Sequence, residues 1–116
     1  MSNQVVRTRI RGWILKGRRS RLEIELLVLQ LIKDHYIPPY AMEKYQGTLS
    51  THIAQKANLT WKQLQEILER FKQLDLIREV REISSKPKCS YVITEKGKLA
   101  LDTYKYLRYL LGHYRV

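Results

Sequence analysis

The sequence predicts one small α+β domain, and three observations carry that prediction. Four stretches place apolar residues at helical spacing, and three of these open directly after a hydroxyl residue suited to capping: Ser20, Thr60 and Thr94. Between the third and fourth stretches, two short runs flank Ser85-Lys86-Pro87-Lys88, the pattern of a hairpin. The chain has 116 residues with 44% hydrophobic content, enough for a single core.

Taken in order, the first helix is expected from about Arg21 to Asp34. Ser20 precedes it and Glu23 stands three residues on, as in a capping box. Its run LEIELLVLQLI is apolar around most of the circumference, which marks a central helix. Pro38 and Pro39 end that pattern, and residues 35–47 read as a long connection with a short turn of helix at Ala41 to Tyr45. A second helix is expected from Thr48 or Leu49 to Ala57, with Leu49, Ile53, Ala54 and Ala57 on one stripe. Asn58-Leu59 break it, and Thr60 caps a third helix from Trp61 to about Gln73, with Gln63 as partner in the cap. Trp61, Leu64, Ile67, Leu68, Phe71 and Leu74 fall on one arc of this helix. Lys62, Glu66, Glu69 and Gln73 lie opposite, with Gln65 and Lys72 at one edge and Gln63 and Arg70 at the other. Arg78 to Ser84 and Cys89 to Ile93 read as paired strands. Thr94 caps a last helix, Glu95 to about Leu111.

Charge is distributed unevenly. The formal net charge is +11, from 22 basic and 11 acidic residues. Seven of the basic residues, among them Arg7, Arg9, Arg11, Arg18 and Arg19, lie in residues 1–21, which contain no acid. The chain therefore divides into a basic arm (1–19), a body (20–94) and a C-terminal helix (95–116). Such a surplus repels itself unless a polyanion uses it, so nucleic acid is the expected partner. The arm also holds Trp13, Ile14 and Leu15, so it either lies on nucleic acid or docks its apolar residues on the body or a partner chain, and the two are compatible.

Other classes find little support. One cysteine, Cys89, excludes an internal disulfide framework. No apolar run approaches the roughly 18 residues of a membrane span, and the basic start lacks the apolar stretch of a secretion signal. A reducing cytoplasmic setting is expected, with no membrane partner. His35, His52 and His113 have no metal-ligand spacing, and no glycine-rich phosphate loop exists. No cofactor, metal, small-molecule ligand or catalytic constellation is implied.

The order helix, helix, short break, helix, hairpin, helix is that of a winged helix-turn-helix with an additional C-terminal helix. In that arrangement helix 61–73 enters the major groove and the second helix braces it. Thr60, Trp61, Lys62, Gln63 and Gln65 then stand at the reading end, and Lys86 and Lys88 tip the hairpin at 85–88. Glu66 accepts from a cytosine amine or pairs with Lys62 or Arg70 along the helix; both options remain open here. A protein-interaction module and a general architectural DNA coat are the alternative functions, since Glu66 and Glu69 make the third helix less positive.

The run Thr51-His52-Ile53-Ala54-Gln55-Lys56-Ala57-Asn58-Leu59-Thr60-Trp61-Lys62-Gln63-Leu64, then Leu68, Phe71, Leu74 and Leu76-Ile77, then Tyr91-Val92-Ile93-Thr94-Glu95-Lys96-Gly97-Lys98, resembles the archaeal small winged helix-turn-helix proteins. These include chromatin-associated dimers and related regulators, some of them viral. The resemblance covers about residues 21–111. It implies a homodimeric, double-stranded DNA-binding transcriptional regulator, nucleoid-associated in the cytoplasm, or in the host cytoplasm if viral. It further implies that Leu99, Thr103, Tyr106, Leu107 and Leu110 of the last helix form the dimer contact, often as an antiparallel coiled coil. The chain departs from the pattern in its long 35–47 connection, its shorter last helix and its arginine-rich arm.

Overall fold

The computed structural model describes residues 19–41, 45–81 and 89–112. The expectations for Arg7, Arg9, Arg11, Arg18, Lys86 and Lys88, and for residues 82–84, lie outside the described residues. So does the middle of the turn expected at Ala41 to Tyr45.

Within those limits the α+β class is observed. The elements are α1 (Arg21–Lys33), β1 (Thr48–Leu49), α2 (Ser50–Ala57), α3 (Trp61–Gln73), β2 (Ile77–Arg81), β3 (Cys89–Ile93) and α4 (Glu95–Leu110). Both expected capping boxes form. The Ser20 hydroxyl accepts from Glu23 N at 3.1 Å while Ser20 N donates to Glu23 Oε1 at 2.8 Å. Thr60 Oγ1 accepts from Gln63 N at 3.1 Å, and Thr60 N donates to Gln63 Oε1 at 2.9 Å. Each box satisfies N–H groups that a helix start otherwise leaves without partners.

One core holds the elements together. Val28, Leu29 and Ile32 of α1, Ile53 and Ala57 of α2, and Leu64, Ile67, Leu68 and Phe71 of α3 meet Ile77, Tyr91 and Leu101 there. The central place expected for α1 is observed: it packs on α2, β3 and α4. Asn58 ends α2 with φ 57° and ψ 54°, a left-handed residue that turns the chain sharply into α3.

The sheet corrects one expectation. Thr48 and Leu49 do not start α2 but form a two-residue strand, and the antiparallel order is β1-β3-β2. Thr48 lies opposite Tyr91 and Leu49 opposite Ser90. Gly47 permits this approach, since a Cβ there would stand 2.6 Å from the Tyr91 carbonyl oxygen. The buried Ser90 hydroxyl accepts from Gly47 N at 3.1 Å and lies 3.4 Å from the Val80 carbonyl, linking all three strands.

The start of α4 is tied to the α3–β2 turn. Thr94 Oγ1 donates to Asp75 O at 2.7 Å, Thr94 N to Leu76 O at 3.0 Å, and Lys96 Nζ to Leu74 O at 2.8 Å. Gly97 sits in this joint, where a Cβ would collide with the Leu76 carbonyl and stand 2.6 Å from Ile93 Cγ1. Gly97→Ala is expected to cost about 1–3 kcal/mol through overpacking against backbone. Thr60→Ala is expected to cost about 1 kcal/mol through loss of the cap. Denaturant melts of the two variants check both values, and an unchanged midpoint for Gly97→Ala would contradict the packing assigned to the joint.

Candidate nucleic-acid interface

The apolar stripe of α3 determines which of its side chains face out. Leu64, Ile67, Leu68 and Phe71 are buried, so the 3.6-residue period turns Lys62, Glu66, Glu69 and Gln73 to solvent. The face expected to be outward is therefore outward, and no other described element covers it. Trp61 departs from its expected place. Helical period puts it on the apolar arc, yet it is 56% exposed. It occupies the first helical turn, beyond the reach of the core.

The two flanks of α3 are engaged differently. Toward α1, Arg70 Nη1 lies 3.4 Å from Glu25 Oε2, and Arg21 Nε lies 2.9 Å from the same oxygen. Glu25 is buried, and these two cations are its compensation. This acid within an apolar helix was not singled out by sequence reasoning. Its i,i+4 spacing from Arg21 was the available signal.

Toward the sheet, Trp61, Gln65 and Lys72 line a cleft of about 440 Å³ with Leu49, Ser50, Thr51, Glu79, Cys89 and Tyr91. Its floor is a polar chain. Lys72 Nζ donates to Glu79 Oε1 at 2.9 Å, and the Cys89 thiol donates to Glu79 Oε2 at 2.8 Å. The strand register places Glu79 opposite Tyr91 and Arg81 opposite Cys89, so Cys89 is the diagonal neighbour of Glu79. Hydrogen bonds from Cys89 and then Lys72 hold the Glu79 carboxyl below its ordinary value. The bond to Glu79 raises the Cys89 thiol, which is therefore a neutral donor and not a reactive thiolate. The same partner raises Lys72, and burial raises Tyr91. The network clamps α3 to the strands of the hairpin.

The remaining sequence-assigned residues fall as follows. Thr60 and Gln63 are joined in the cap, so Gln63 Oε1 is held by Thr60 N while its amide nitrogen stays exposed. Lys62 is exposed and Gln65 half-buried in the cleft. Arg19 Nη2 donates to the Ala57 carbonyl at 2.6 Å, fastening the root of the arm beside the end of α2. On α4, Leu99, Tyr106 and Leu110 are 64%, 63% and 59% exposed, and Thr103 and Leu107 are exposed as well. Leu107 also borders an apolar groove between α4 and α1, together with Leu26, Leu27, Tyr104 and Leu111. Among the described residues, no three His, Cys, Asp or Glu side chains are grouped to hold a metal ion. No helix among them is long and apolar enough to cross a membrane.

The clamp gives a pH dependence of known sign. Glu79 titrates lower in the fold than in the unfolded chain, so its contribution is present above the ordinary carboxylate value of 4.5. It is lost as pH falls through the depressed value. Glu79→Gln is expected to lower the thermal midpoint at neutral pH and to have less effect in acid. Equal losses at both would show that the carboxylate charge is not the source.

A comparison with curated proteins found no match. A family model does match, covering most of the chain, from the root of the arm to the end of α4. With two helices meeting at the Asn58 turn, a hairpin behind them and that match over residues 18–111, the chain belongs to the winged helix-turn-helix family of DNA-binding domains.

Proposed function

We propose that the protein is a homodimeric transcriptional regulator that seats α3 in the major groove of double-stranded DNA. The observation that carries this reading is the bare outward face of α3, flanked by elements that hold the helix rigid and leave its first two turns open. A helix so presented fits the major groove, and its N-terminal residues reach base edges. Gln65 is the adenine reader, since its amide makes no hydrogen bond to a described residue. Gln63 only donates, because the cap holds its oxygen. Lys62 and Thr60 meet phosphate or guanine, and Trp61 packs on the sugar-phosphate edge of the cleft. Lys86 and Lys88, with Arg7, Arg9, Arg11 and Arg18 of the arm, supply charge that neutralises backbone phosphates. Arg19 anchors that arm.

The dimer forms through α4. Leu99, Thr103, Tyr106 and Leu110 recur at near-heptad spacing, and large apolar side chains left this exposed are ordinarily covered by a partner. A second copy supplies the same seam, as two-fold symmetry requires. The closest reading by type is an archaeal or archaeal-virus regulator acting in the cytoplasm at the nucleoid, on the strength of the motifs in 51–64 and 91–98. A general architectural role differs from it only in lacking sequence preference.

Titration of duplex DNA across a salt series tests the proposal. Binding is expected to weaken with a log–log slope of about −0.9 per phosphate neutralised. Deleting the arm flattens that slope, whereas Gln65→Ala leaves it and changes which duplex is preferred. Binding without a salt slope would reject DNA as the partner. Tyr106→Asp with Leu110→Asp is expected to yield a folded monomer by sedimentation. A dimer that persists in this variant would displace the α4 seam from its role.

A further inference from the structure

The charged residues of α3 are not used alike. Arg70 is drawn sideways to Glu25, at 3.4 Å. Lys72 is drawn the other way, to Glu79 at 2.9 Å, and also lies 3.5 Å from Glu69. Glu66 is the i,i+4 neighbour of both Lys62 and Arg70, the positions from which a helix ordinarily neutralises an acid. It nevertheless pairs with no described residue. Its exposed carboxylate therefore stands uncompensated in the second turn of α3, in the middle of the outward face.

That placement is costly beside phosphates unless a donor meets it. In the major groove, cytosine presents an N4 amino donor, whereas guanine presents the acceptors N7 and O6, thymine O4 and a methyl group, and adenine a donor beside an acceptor. A carboxylate is favoured by the first and opposed by guanine and thymine. We infer that Glu66 is a specificity-determining residue, which accepts from a cytosine N4 amino group and repels α3 from sites that lack one there. This rests on the seating of α3 proposed above. Arm and wing attract every duplex alike, so an acid on the reading face lowers non-specific binding more than specific binding.

Selection of duplexes from a random pool tests it, with the full chain and its Glu66→Ala, Glu66→Gln and Gln65→Ala variants at one salt concentration. The wild-type consensus is expected to contain a cytosine that Glu66→Ala no longer requires. Discrimination at that position falls roughly tenfold or more, while affinity for an unrelated duplex rises. Glu66→Gln moves the preference there toward adenine. If Glu66→Ala raises affinity for every duplex by one factor and leaves the consensus intact, Glu66 merely repels and the inference fails. A change of consensus with Gln65→Ala but not with either Glu66 variant also defeats it, while the seating of α3 survives. If the wild type has no consensus, or no α3 variant alters it, both fall together. Glu66 is exposed, so unchanged melting curves show that the variants remain folded.

Discussion

Burial of one stripe on α3 is the constraint on which the interface depends. Leu64, Ile67, Leu68 and Phe71 are at most 3% exposed, and they leave the helix no freedom to rotate. Each such side chain contributes about 1.5–3 kcal/mol when removed from water. A rotation that hid Lys62 or Glu66 would forfeit several of these contributions together. The outward face is thus a consequence of the inward one, and which side chains stand there is set by what the core must bury.

Polar contacts then convert a packed helix into an aimed one. Arg70 bridges α3 to α1 through Glu25, and Lys72 bridges it to the hairpin through Glu79 and Cys89. Partly exposed ion pairs contribute little to stability, but opposed pairs on two flanks restrict rolling in either direction. They also engage two cations at the edges of the outward face. The outward face consequently carries Lys62 against Glu66 and Glu69, without surplus positive charge. Ser90 and Gly47 perform the analogous task in the sheet, fixing β1 and thereby the start of α2 against β3.

Much of this was legible in the sequence because its signals are local. The boundaries of α3 and β3 follow from Thr60, the apolar period and the turn residues, and the outward face of α3 follows from the same period. β1 was not legible. Two residues carry no periodicity, and Thr48-Leu49 is a strand only because β3, far along the chain, offers its edge. The position of Trp61 was misread for a related reason: helical period places it on the apolar arc, but only tertiary structure reveals that the core ends one turn later. The Lys72–Glu79–Cys89 clamp was equally hidden. It joins residues whose proximity exists only once the hairpin register is formed, although Cys89 had been assigned correctly to a strand.

A division of labour follows from these positions. Net charge in the chain is concentrated in residues 1–21, while α3 has spent Arg70 and Lys72 within the fold. Under the proposed function, attraction to a polyanion and discrimination among bases would reside in different parts of one small domain. Long-range charge raises the rate and strength of encounter with any duplex and contains no sequence information. A reading face without surplus positive charge does not add to that indiscriminate pull, so each base contact it makes weighs more heavily against the alternatives. A third helix studded with free lysines would bind more tightly and choose less well. On that reading, drawing Arg70 and Lys72 sideways into Glu25 and Glu79 would keep grip separate from choice.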